Sequence, residues 1–394
     1  MTRRPVTYVT AGFPFPLSSG YLRHHHLIRA LAPDHAVRLR SLVGARFDES
    51  AVDGVAGLVD DVQVFREPGG SRAAVARRRL RPEARADVVA LRATVAADVA
   101  AGVDAVVLSG KETASVLDAV AGRVPVVVDL CDATSARVTQ EMALAPPLRA
   151  AGLAARRRVL RRAERRLVDE ADLLLTASAR DRELLVEEGA PSRAGDALVL
   201  PNGIDLGHWR RTTDRLGDEV VLVGNLGYRP NADAATHLVE DVMPLVWGAR
   251  PDARVSLVGV GASEALVRRL DRPGVTVVGA VPDVRPHLER AAVVVAPLRI
   301  ATGIQNKLLE AMAMEVPVVT TPVAAAGLGP GAPVVVAADA RAAADAVTAR
   351  LAAVAAGATA PDAAARRWVG ERFDWATSGA LLADALAATA AGAR

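Results

Sequence analysis

Residues 296–313 read APLRIATGIQNKLLEAMA, a segment that runs from the end of an apolar strand through a glycine loop into a helix. The free backbone N–H groups and the dipole at such a helix start attract anions, and a diphosphate fits this description. Lys307 lies in or just after the first turn, and Glu310 follows one turn later on the same face. The pair would supply a cation for phosphate and a carboxylate for ribose hydroxyls. The alternative is that residues 302–306 only cap the helix and that Glu310 is a solvated surface residue.

Apolar runs and helical patterns alternate on both sides of this segment. The runs predict strands at 6–10, 36–43, 105–108, 124–130 and 173–176 in the first half, and at 220–223, 255–258, 275–278, 293–296 and 316–320 in the second. Strand and helix repeated twice over predict an α/β protein with two parallel sheets, each covered by helices. We therefore expect two Rossmann-like domains, 1–195 and 205–375, facing each other across a cleft. A last helix in 376–394 closes the chain, and its packing back toward the first domain stays open.

Composition limits the class of protein. Of 394 residues, 51% are hydrophobic and 24% are charged, which is typical of a soluble globular protein and excludes global disorder or a fibre. Aromatic residues make up only 3%, so stacking platforms for nucleic acid are scarce and no nucleic-acid partner is expected. The single cysteine, Cys131, excludes an intramolecular disulfide and fits a reducing compartment. The uncharged stretch 316–338 contains four prolines and three glycines, so it does not predict a membrane helix. We expect a cytoplasmic protein.

Lysine is rare in this chain. Among 48 basic residues only Lys111 and Lys307 are lysines, and the preference for Arg and Ala indicates a high-GC bacterial coding bias. Lys111 follows Ser109 and Gly110 at a predicted strand end, where an acceptor-binding or phosphate-binding role and an ordinary surface position are both open. A P-loop is excluded because Glu112 replaces the required Ser or Thr.

Asp129 and Asp132 close the next predicted strand. Carboxylates at this edge of the sheet could orient an acceptor hydroxyl or a donor sugar. The alternative is that they form a capped turn into the following helix.

The histidine run 24–26 is not a metal site, because adjacent helical side chains point about 100° apart. At most one imidazole, such as that of His24, faces the predicted cleft, with Arg23 as an equal candidate.

The sequence GVG at 259–261 is weak evidence for NAD because Glu264 occupies the third glycine position. Eight arginines between 149 and 166 indicate a docked helix with a solvated face, or contact with anionic lipid.

The segment with Lys307 and Glu310, continued by VPVV at 316–319, resembles the C-terminal signature of glycosyltransferase family 4, which has the GT-B fold. Residues 223–233 resemble a branch of that family in which a Pro-Asn pair follows the first strand of the donor domain. Residues 201–205, 279–283 and 373–375 resemble its interdomain loop, a donor-domain loop and its closing motif. The resemblance is strong from about 202 to 328 and thinner before that.

The resemblance implies a retaining transferase with no metal or other cofactor, which uses a nucleoside-diphosphate sugar as co-substrate. Glu310 would accept hydrogen bonds from ribose hydroxyls, Lys307 would neutralise the departing diphosphate, and the base would lie near Val281. We expect Lys307 and Asp129 to be catalytic. The further expected donor-binding residues are Gly20, Asn225, Arg229, Thr302, Gly303, Ile304 and Gln305, and the expected acceptor-binding residues are Arg23, His24, Lys111 and Asp132.

Two positions depart from the family pattern. Thr302 stands where many members have the first of two glutamates, and Asn225 stands where many have an arginine, for which Arg229 is a candidate substitute. The acceptor, a small molecule or a glycolipid, cannot be chosen from the sequence, and monomer and homodimer remain open, as does peripheral contact with the inner face of the membrane. The competing hypotheses are a nucleotide-sugar epimerase of the same fold and a non-catalytic nucleotide-binding protein.

Overall fold

The structure is a computed structural model that describes residues 3–17, 21–71, 85–188 and 197–392. The chain divides into two compact units. The first comprises Met1–Gly203 together with Trp375–Arg394, and the second comprises Ile204–Asp374. Each unit contains one sheet whose neighbouring strands are all parallel, as the sequence predicted.

The first sheet has seven strands in the order β3-β2-β1-β4-β5-β6-β7. Its central strands are runs of Val, Leu and Ala buried on both faces, which is the pattern of a parallel sheet covered by helices. The strands are β1 Arg4–Thr10, β2 His35–Val43, β3 Asp61–Arg66, β4 Ala105–Ser109, β5 Val126–Leu130, β6 Leu173–Thr176 and β7 Ala197–Val199.

Helices of the first unit pack on this sheet through Leu and Val side chains. They are α1 Leu22–Leu31, α2 Ala86–Ala100, α3 Leu117–Val120, α4 Thr134–Ala143, α5 Pro147–Glu170 and α6 Ala179–Glu188, with 3-10 turns at Glu49–Val55 and Lys111–Val116.

The second sheet has six strands in the order β10-β9-β8-β11-β12-β13. The strands are β8 Glu219–Val223, β9 Val255–Val258, β10 Val275–Gly279, β11 Ala291–Ala296, β12 Val318–Thr320 and β13 Val335–Val336. The helices are α7 Arg229–His237, α8 Met243–Ala249, α9 Glu264–Leu270, α10 Arg285–Glu289, α11 Asn306–Ala313, α12 Pro322–Ala325, α13 Ala340–Ala355 and α14 Ala363–Arg372. The π-helical turn Leu238–Val242 joins α7 to α8.

Both sheets are doubly wound, and the direction of winding reverses once in each. The reversal lies between β1 and β4 in the first sheet and between β8 and β11 in the second. Ligands of such sheets bind outside the carboxyl ends of the strands at this switch point. The loops that follow these four strands are therefore the places where a site is expected.

The last helix, α15 Trp375–Gly392, belongs to the first unit. Leu382 and Leu386 are buried in the core that contains α1 and β1. A Cβ atom at Gly379 would lie 2.4 Å from the Cβ of Ala30, so glycine permits the two helices to approach closely. The His26 ring stacks on Trp375 at 4.4 Å between ring centroids.

Some element predictions require correction. Residues 173–176 form β6, but β7 follows them, so β6 is not the last strand of the first half. The predicted strands 124–130 and 316–320 begin later, at Val126 and Val318, each directly after a proline, which has no N–H for the strand ladder. The strands β3, β7 and β13 were not predicted: all three are edge strands, β3 alternates polar and apolar residues, and β7 and β13 are only three and two residues long.

The arginine-rich segment forms most of α5. This helix buries Leu153, Leu167 and Val168 against the first unit, and Glu164 accepts a hydrogen bond from the backbone N–H of Ser135 at the start of α4. Arg166 forms ion pairs with Asp118 at 2.6 Å and with Glu170 at 2.8 Å. These contacts are those of a docked helix. None of the helices in the described ranges combines the length and the apolar character that a membrane crossing requires.

Candidate functional sites at the two switch points

The site of the second unit is built around α11. Lys307 is the second residue of this helix and Glu310 lies one turn later, so both side chains share a face, as the sequence predicted. The Nζ atom of Lys307 donates a 2.6 Å hydrogen bond to Oδ1 of Asn231 in α7. Because α7 follows β8 and α11 follows β11, this bond joins the two sides of the switch point.

Asn231 extends the connection to the loop after β8. Its Nδ2 atom donates to the carbonyl oxygen of Asn225 at 2.9 Å, and Oδ1 of Asn225 accepts from the backbone N–H of Gly227 at 2.9 Å. The Asn225 side chain therefore stabilises its own turn. Sequence reasoning placed Asn231 in a motif but did not identify it as the partner of Lys307.

Burial changes the proton affinity of both charged groups on α11. It lowers the pKa of Lys307 to about 8, while the nearby Glu310 carboxylate opposes the change. It raises the pKa of Glu310 to about 7, and the Lys307 charge again acts in the opposite direction. Among the described residues, no side chain or backbone group makes a hydrogen bond to the Glu310 carboxyl group. The carboxyl group is therefore available for a ligand.

The backbone of the loop before α11 is compact. Gly303 has a φ of 69°, and a Cβ atom at Gly327 would lie 2.3 Å from the Gly303 carbonyl oxygen. Gln305 Nε2 donates to the Thr302 carbonyl oxygen at 2.9 Å, and Ile304 is buried. The side chain of Gln305, at the N-cap position, makes no capping hydrogen bond to α11. This end of the helix therefore has the geometry of an anion site.

Arg229 and Val281 lie at the same edge of the sheet. Arg229 opens α7, and its Nε atom is buried with no hydrogen-bond partner in the described parts of the chain. Val281 follows β10, which is three strands from β11. At ~4.8 Å per strand this places the Val281 loop about 14 Å from the Lys307 loop along the sheet edge, a separation that a nucleoside diphosphate can span.

The first unit contains a buried polar network at its own switch point. Arg23 donates to both carboxylate oxygens of Asp129, at distances from 2.8 to 3.1 Å, and also to Leu200 O at 2.7 Å and Asn202 Oδ1 at 3.2 Å. Arg23 is 4% exposed and Asp129 is 0% exposed. The sequence predicted direct substrate contact for both residues. In this structure the two residues pair with each other, because each charge needs a partner when it is buried, and their contact with a substrate stays a prediction.

His24 continues this network toward a pocket. Its Nδ1 atom lies 3.2 Å from Ser109 Oγ, which lies 3.2 Å from Asp129 Oδ2. Burial lowers the pKa of His24 to about 4, and the Arg23 charge acts in the same direction. Since a carboxylate only accepts, Ser109 donates to Asp129 and accepts from Nδ1–H of the neutral ring. The Nε2 atom of His24 is then a hydrogen-bond acceptor.

The pocket next to His24 has a volume of about 190 Å³. It is also lined by Lys111 and Asp132, so the structure brings three of the four predicted acceptor-binding residues together, whereas the buried Arg23 is not part of the lining. Although burial alone lowers the pKa of Lys111, the Glu112 and Asp132 carboxylates raise it above its ordinary value. The predicted donor contact Gly20 lies outside the described residues.

Comparisons with known proteins agree with this architecture. Residues 217–353 match the model of a family described as glycosyl transferases group 1. No curated protein matches the chain. Among solved structures, the Alr3699/HepE protein of Anabaena in complex with UDP has a TM-score of 0.67 at 15% identity, covering 98% of this chain and 100% of that chain. The same Anabaena protein has been solved with UDP-glucose.

Two further solved structures are similar over their whole length. A TarM variant of S. aureus, in complex with fondaparinux, alpha-GlcNAc-glycerol and UDP, has a TM-score of 0.66 at 8% identity, covering 98% of this chain and 100% of that chain. The alpha,alpha-trehalose 6-phosphate synthase of Burkholderia multivorans has a TM-score of 0.63 at 14% identity, covering 100% of both chains. The chain therefore has the fold of GT-B glycosyltransferases, and its residues 217–353 match a group 1 glycosyltransferase domain.

Proposed function

We propose that this protein is a retaining glycosyltransferase that moves a sugar from a nucleoside-diphosphate sugar to an acceptor hydroxyl. The observation that carries the proposal is the pair Lys307 and Glu310 on α11, half-buried at the switch point of the second sheet. A half-buried cation and an accessible carboxyl group one turn apart suit the diphosphate and the ribose of one nucleotide. Uridine diphosphate is our first choice of nucleotide, because the Anabaena and S. aureus proteins of the same fold were solved with UDP.

In this proposal the donor lies along the carboxyl edge of the second sheet. Lys307 and the first N–H groups of α11 bind the diphosphate, with Gly303, Ile304 and Gln305 shaping the loop and Thr302 facing the sugar. Glu310 accepts hydrogen bonds from the ribose hydroxyls, and the base lies near Val281. Arg229 supplies a further cation. With these cations the protein itself neutralises the leaving diphosphate, so we propose that no metal ion or other cofactor is required.

The acceptor hydroxyl lies in the pocket of the first unit. Before transfer, Nε2 of His24 accepts a hydrogen bond from this hydroxyl and so orients it, while Lys111 and Asp132 bind neighbouring oxygens. Arg23 and Asp129 act as positioning residues, because they hold Ser109 and so fix the orientation of the His24 ring. We propose transfer on the front face of the sugar, in which the leaving phosphate takes the acceptor proton and the configuration is retained.

The decisive experiment is product analysis with UDP-glucose and other nucleotide sugars, with and without a panel of hydroxylated acceptors. Transfer to an acceptor, with the anomeric configuration read by proton NMR, supports the proposal when the configuration is retained. Conversion of the donor sugar without an acceptor would instead identify an epimerase. Nucleotide binding without any product would identify a non-catalytic binding protein. We also propose a cytoplasmic location, which is tested by probing cytoplasmic, membrane and exported fractions of cells for the protein.

A further inference from the structure

Aromatic side chains are concentrated in one place in the first unit. The whole chain has only five phenylalanines and three tyrosines. Three of the phenylalanines, Phe13, Phe15 and Phe47, line one pocket of about 490 Å³ together with Tyr21. This volume lies within the range of ~300–1,000 Å³ that is usual for small-molecule sites. In a protein that otherwise builds its cores from Ala, Val and Leu, this grouping requires an explanation.

The rings are held in fixed positions. Phe13 and Phe47 pack against each other at 5.0 Å between ring centroids with their planes tilted by 52°. A Cβ atom at Gly54 would lie 2.4 Å from the Phe15 ring, and a Cβ atom at Gly12 would lie 2.2 Å from the Tyr21 ring. The two glycines therefore let these rings lie directly on the backbone. The apolar walls are already formed without a ligand, which reduces the ordering that a ligand must impose.

The charged groups around this pocket are mostly paired within the protein. Arg85 forms ion pairs with Asp87 at 2.5 Å and with Glu67 at 3.8 Å, and Glu112 pairs with Lys111 at 3.2 Å. The two other charged lining residues, Arg46 and Asp48, are exposed and of opposite sign, so a ligand needs no formal charge on its buried part. The chemistry of the walls favours an apolar, flat body that packs edge-on and face-on against aromatic rings.

The aromatic pocket and the polar pocket beside His24 are adjacent. Both are lined by Ala11, Gly12, Tyr21 and Glu112. A molecule that fills the aromatic pocket can therefore place one polar end beside His24 and Lys111, where the proposed reaction needs an acceptor hydroxyl.

We infer that the acceptor is an uncharged, planar apolar molecule that carries a hydroxyl group, such as a phenolic or polycyclic aglycone, and that its ring system occupies the pocket of Phe13, Phe15, Phe47 and Tyr21. This inference rests on the proposed function for the role of the hydroxyl, but the binding of the ring system does not depend on it. An aromatic ring system can make stacked and edge-to-face contacts with these rings that neither a free sugar nor an alkyl chain can make.

The test uses a variant that fills the pocket. Gly44 lines the pocket, has no positive φ, and a Cβ atom there meets no atom within 4 Å. Gly44→Trp therefore adds an indole at the wall of the pocket with little cost to folding and reduces the room for a ring system. Gly152→Trp is the matched control, because Gly152 on α5 also has open space around its Cβ position and lines neither of the two pockets. Phe47→Leu is a second, milder variant that removes one ring.

The probe is 4-methylumbelliferone, a planar bicyclic phenol, and its binding is measured by fluorescence titration. We expect saturable binding to the natural protein and to Gly152→Trp, at least tenfold weaker binding to Gly44→Trp, and severalfold weaker binding to Phe47→Leu. Equal binding to Gly44→Trp and Gly152→Trp would overturn the inference. Binding of methyl α-glucoside or decanol with no binding of the phenol would overturn it as well.

Thermal stabilisation by UDP, measured on the same proteins, separates this inference from the proposed function. UDP stabilisation without phenol binding means that the acceptor class is wrong while the donor site stands. Phenol binding without UDP stabilisation means that the pocket is assigned correctly while the proposed transferase function fails. With both present, mass spectrometry of the phenol after incubation with UDP-glucose is expected to show the added hexose, and Gly44→Trp is expected to lose that product selectively.

Discussion

Lys307 Nζ donates a 2.6 Å hydrogen bond to Asn231 Oδ1, and these residues stand 76 positions apart in the chain. The bond joins the helix after β11 to the helix after β8, the two strands at which the second sheet reverses its winding. Asn231 also donates to the carbonyl oxygen of Asn225. The lysine side chain is therefore held in position by the same residue that shapes the opposite loop.

We expect Lys307→Met and Glu310→Ala each to weaken UDP binding without unfolding the protein. Loss of a charge-assisted hydrogen bond removes about 1.5–3 kcal/mol, which corresponds to roughly a 10–100-fold rise in the dissociation constant. Isothermal titration measures the affinity, and Arg341→Met, which changes an exposed cation on α13, is the control. Unchanged affinity in both site variants would remove the site assignment.

Asn231→Ala is expected to lower both stability and donor affinity. Asn231 is buried, so its removal leaves the Asn225 carbonyl and the Lys307 ammonium without their partner. Because Asn225 is exposed and Lys307 is half-buried, water replaces part of the lost hydrogen bonding, so we expect a loss of about 0.5–1.5 kcal/mol, which urea denaturation can resolve. Thr236→Ala, at a half-buried position further along α7, provides the comparison. A stable Asn231→Ala protein with full UDP affinity would show that the hydrogen bond between Lys307 and Asn231 has no role in stability or in donor binding.

UDP affinity is expected to depend on pH in a bell shape. Lys307, with a pKa of about 8, must be protonated to attract the diphosphate, so affinity falls above pH 8. Glu310, with a pKa of about 7, accepts ribose hydroxyls best when ionised, so affinity falls below pH 7. Glu310→Gln should remove the fall on the acid side and retain the fall on the alkaline side. Titrations at pH 5.5 to 9.5 test this, and a flat profile between these limits would contradict the assignment.

The stability of the ligand-free protein should show the opposite trend. The Glu310 pKa is raised from 4.5 to about 7, so the stability linked to this group is present below pH 4.5 and is lost as pH rises through 7. The Lys307 pKa is lowered from 10.5 to about 8, so its destabilising charge is present below pH 8 and disappears as pH rises toward 10.5. The contribution of Glu310 and Lys307 to the free energy of unfolding is therefore lowest between pH 7 and 8. The urea midpoint of the natural protein should fall as pH rises from 4.5 to 7. The midpoint of Glu310→Gln should fall less over the same range.

Asp129→Asn separates a positioning role from direct catalysis. Removing one partner of a fully buried ion pair costs about 3–5 kcal/mol, because the Arg23 charge stays buried without compensation. We expect a large loss of stability, and part of it should return in the double variant Arg23→Met/Asp129→Leu. A normally stable Asp129→Asn protein with no transferase activity would instead support the direct catalytic role that the sequence suggested.

His24→Ala is expected to raise KM for the acceptor and to leave UDP affinity unchanged. With a pKa of about 4 the ring is neutral throughout the physiological range, so the acceptor KM should not change between pH 6 and 8 on account of His24. His35→Ala, at the start of β2 and therefore at the opposite edge of the sheet, is the control. Loss of UDP affinity in His24→Ala would place this residue in the donor site.

The central strands and the placing of Lys307 and Glu310 on one helix face could be predicted, because the patterns that indicate them lie within short stretches of sequence. Val-rich runs identified the central strands, and the spacing of Lys307 and Glu310 within one helix placed both on one face. The unpredicted features depend on long-range contacts. Asn231 reaches Lys307 across 76 residues, and Arg23 reaches Asp129 across 106, so the sequence indicated their edge of the sheet but not their pairing. The strand β13 has only two exposed residues and gives no periodic signal.

The most direct test of the central claim is thermal stabilisation of the natural protein and of Lys307→Met by UDP, GDP, dTDP, ADP and NAD. A ligand at 100 times its dissociation constant adds ~2.7 kcal/mol to the free energy of unfolding, a shift that is easily detected. The account predicts stabilisation of the natural protein by a nucleoside diphosphate, with UDP first, and a much smaller shift in Lys307→Met. Stabilisation by NAD alone, or a UDP shift of equal size in both proteins, would contradict it.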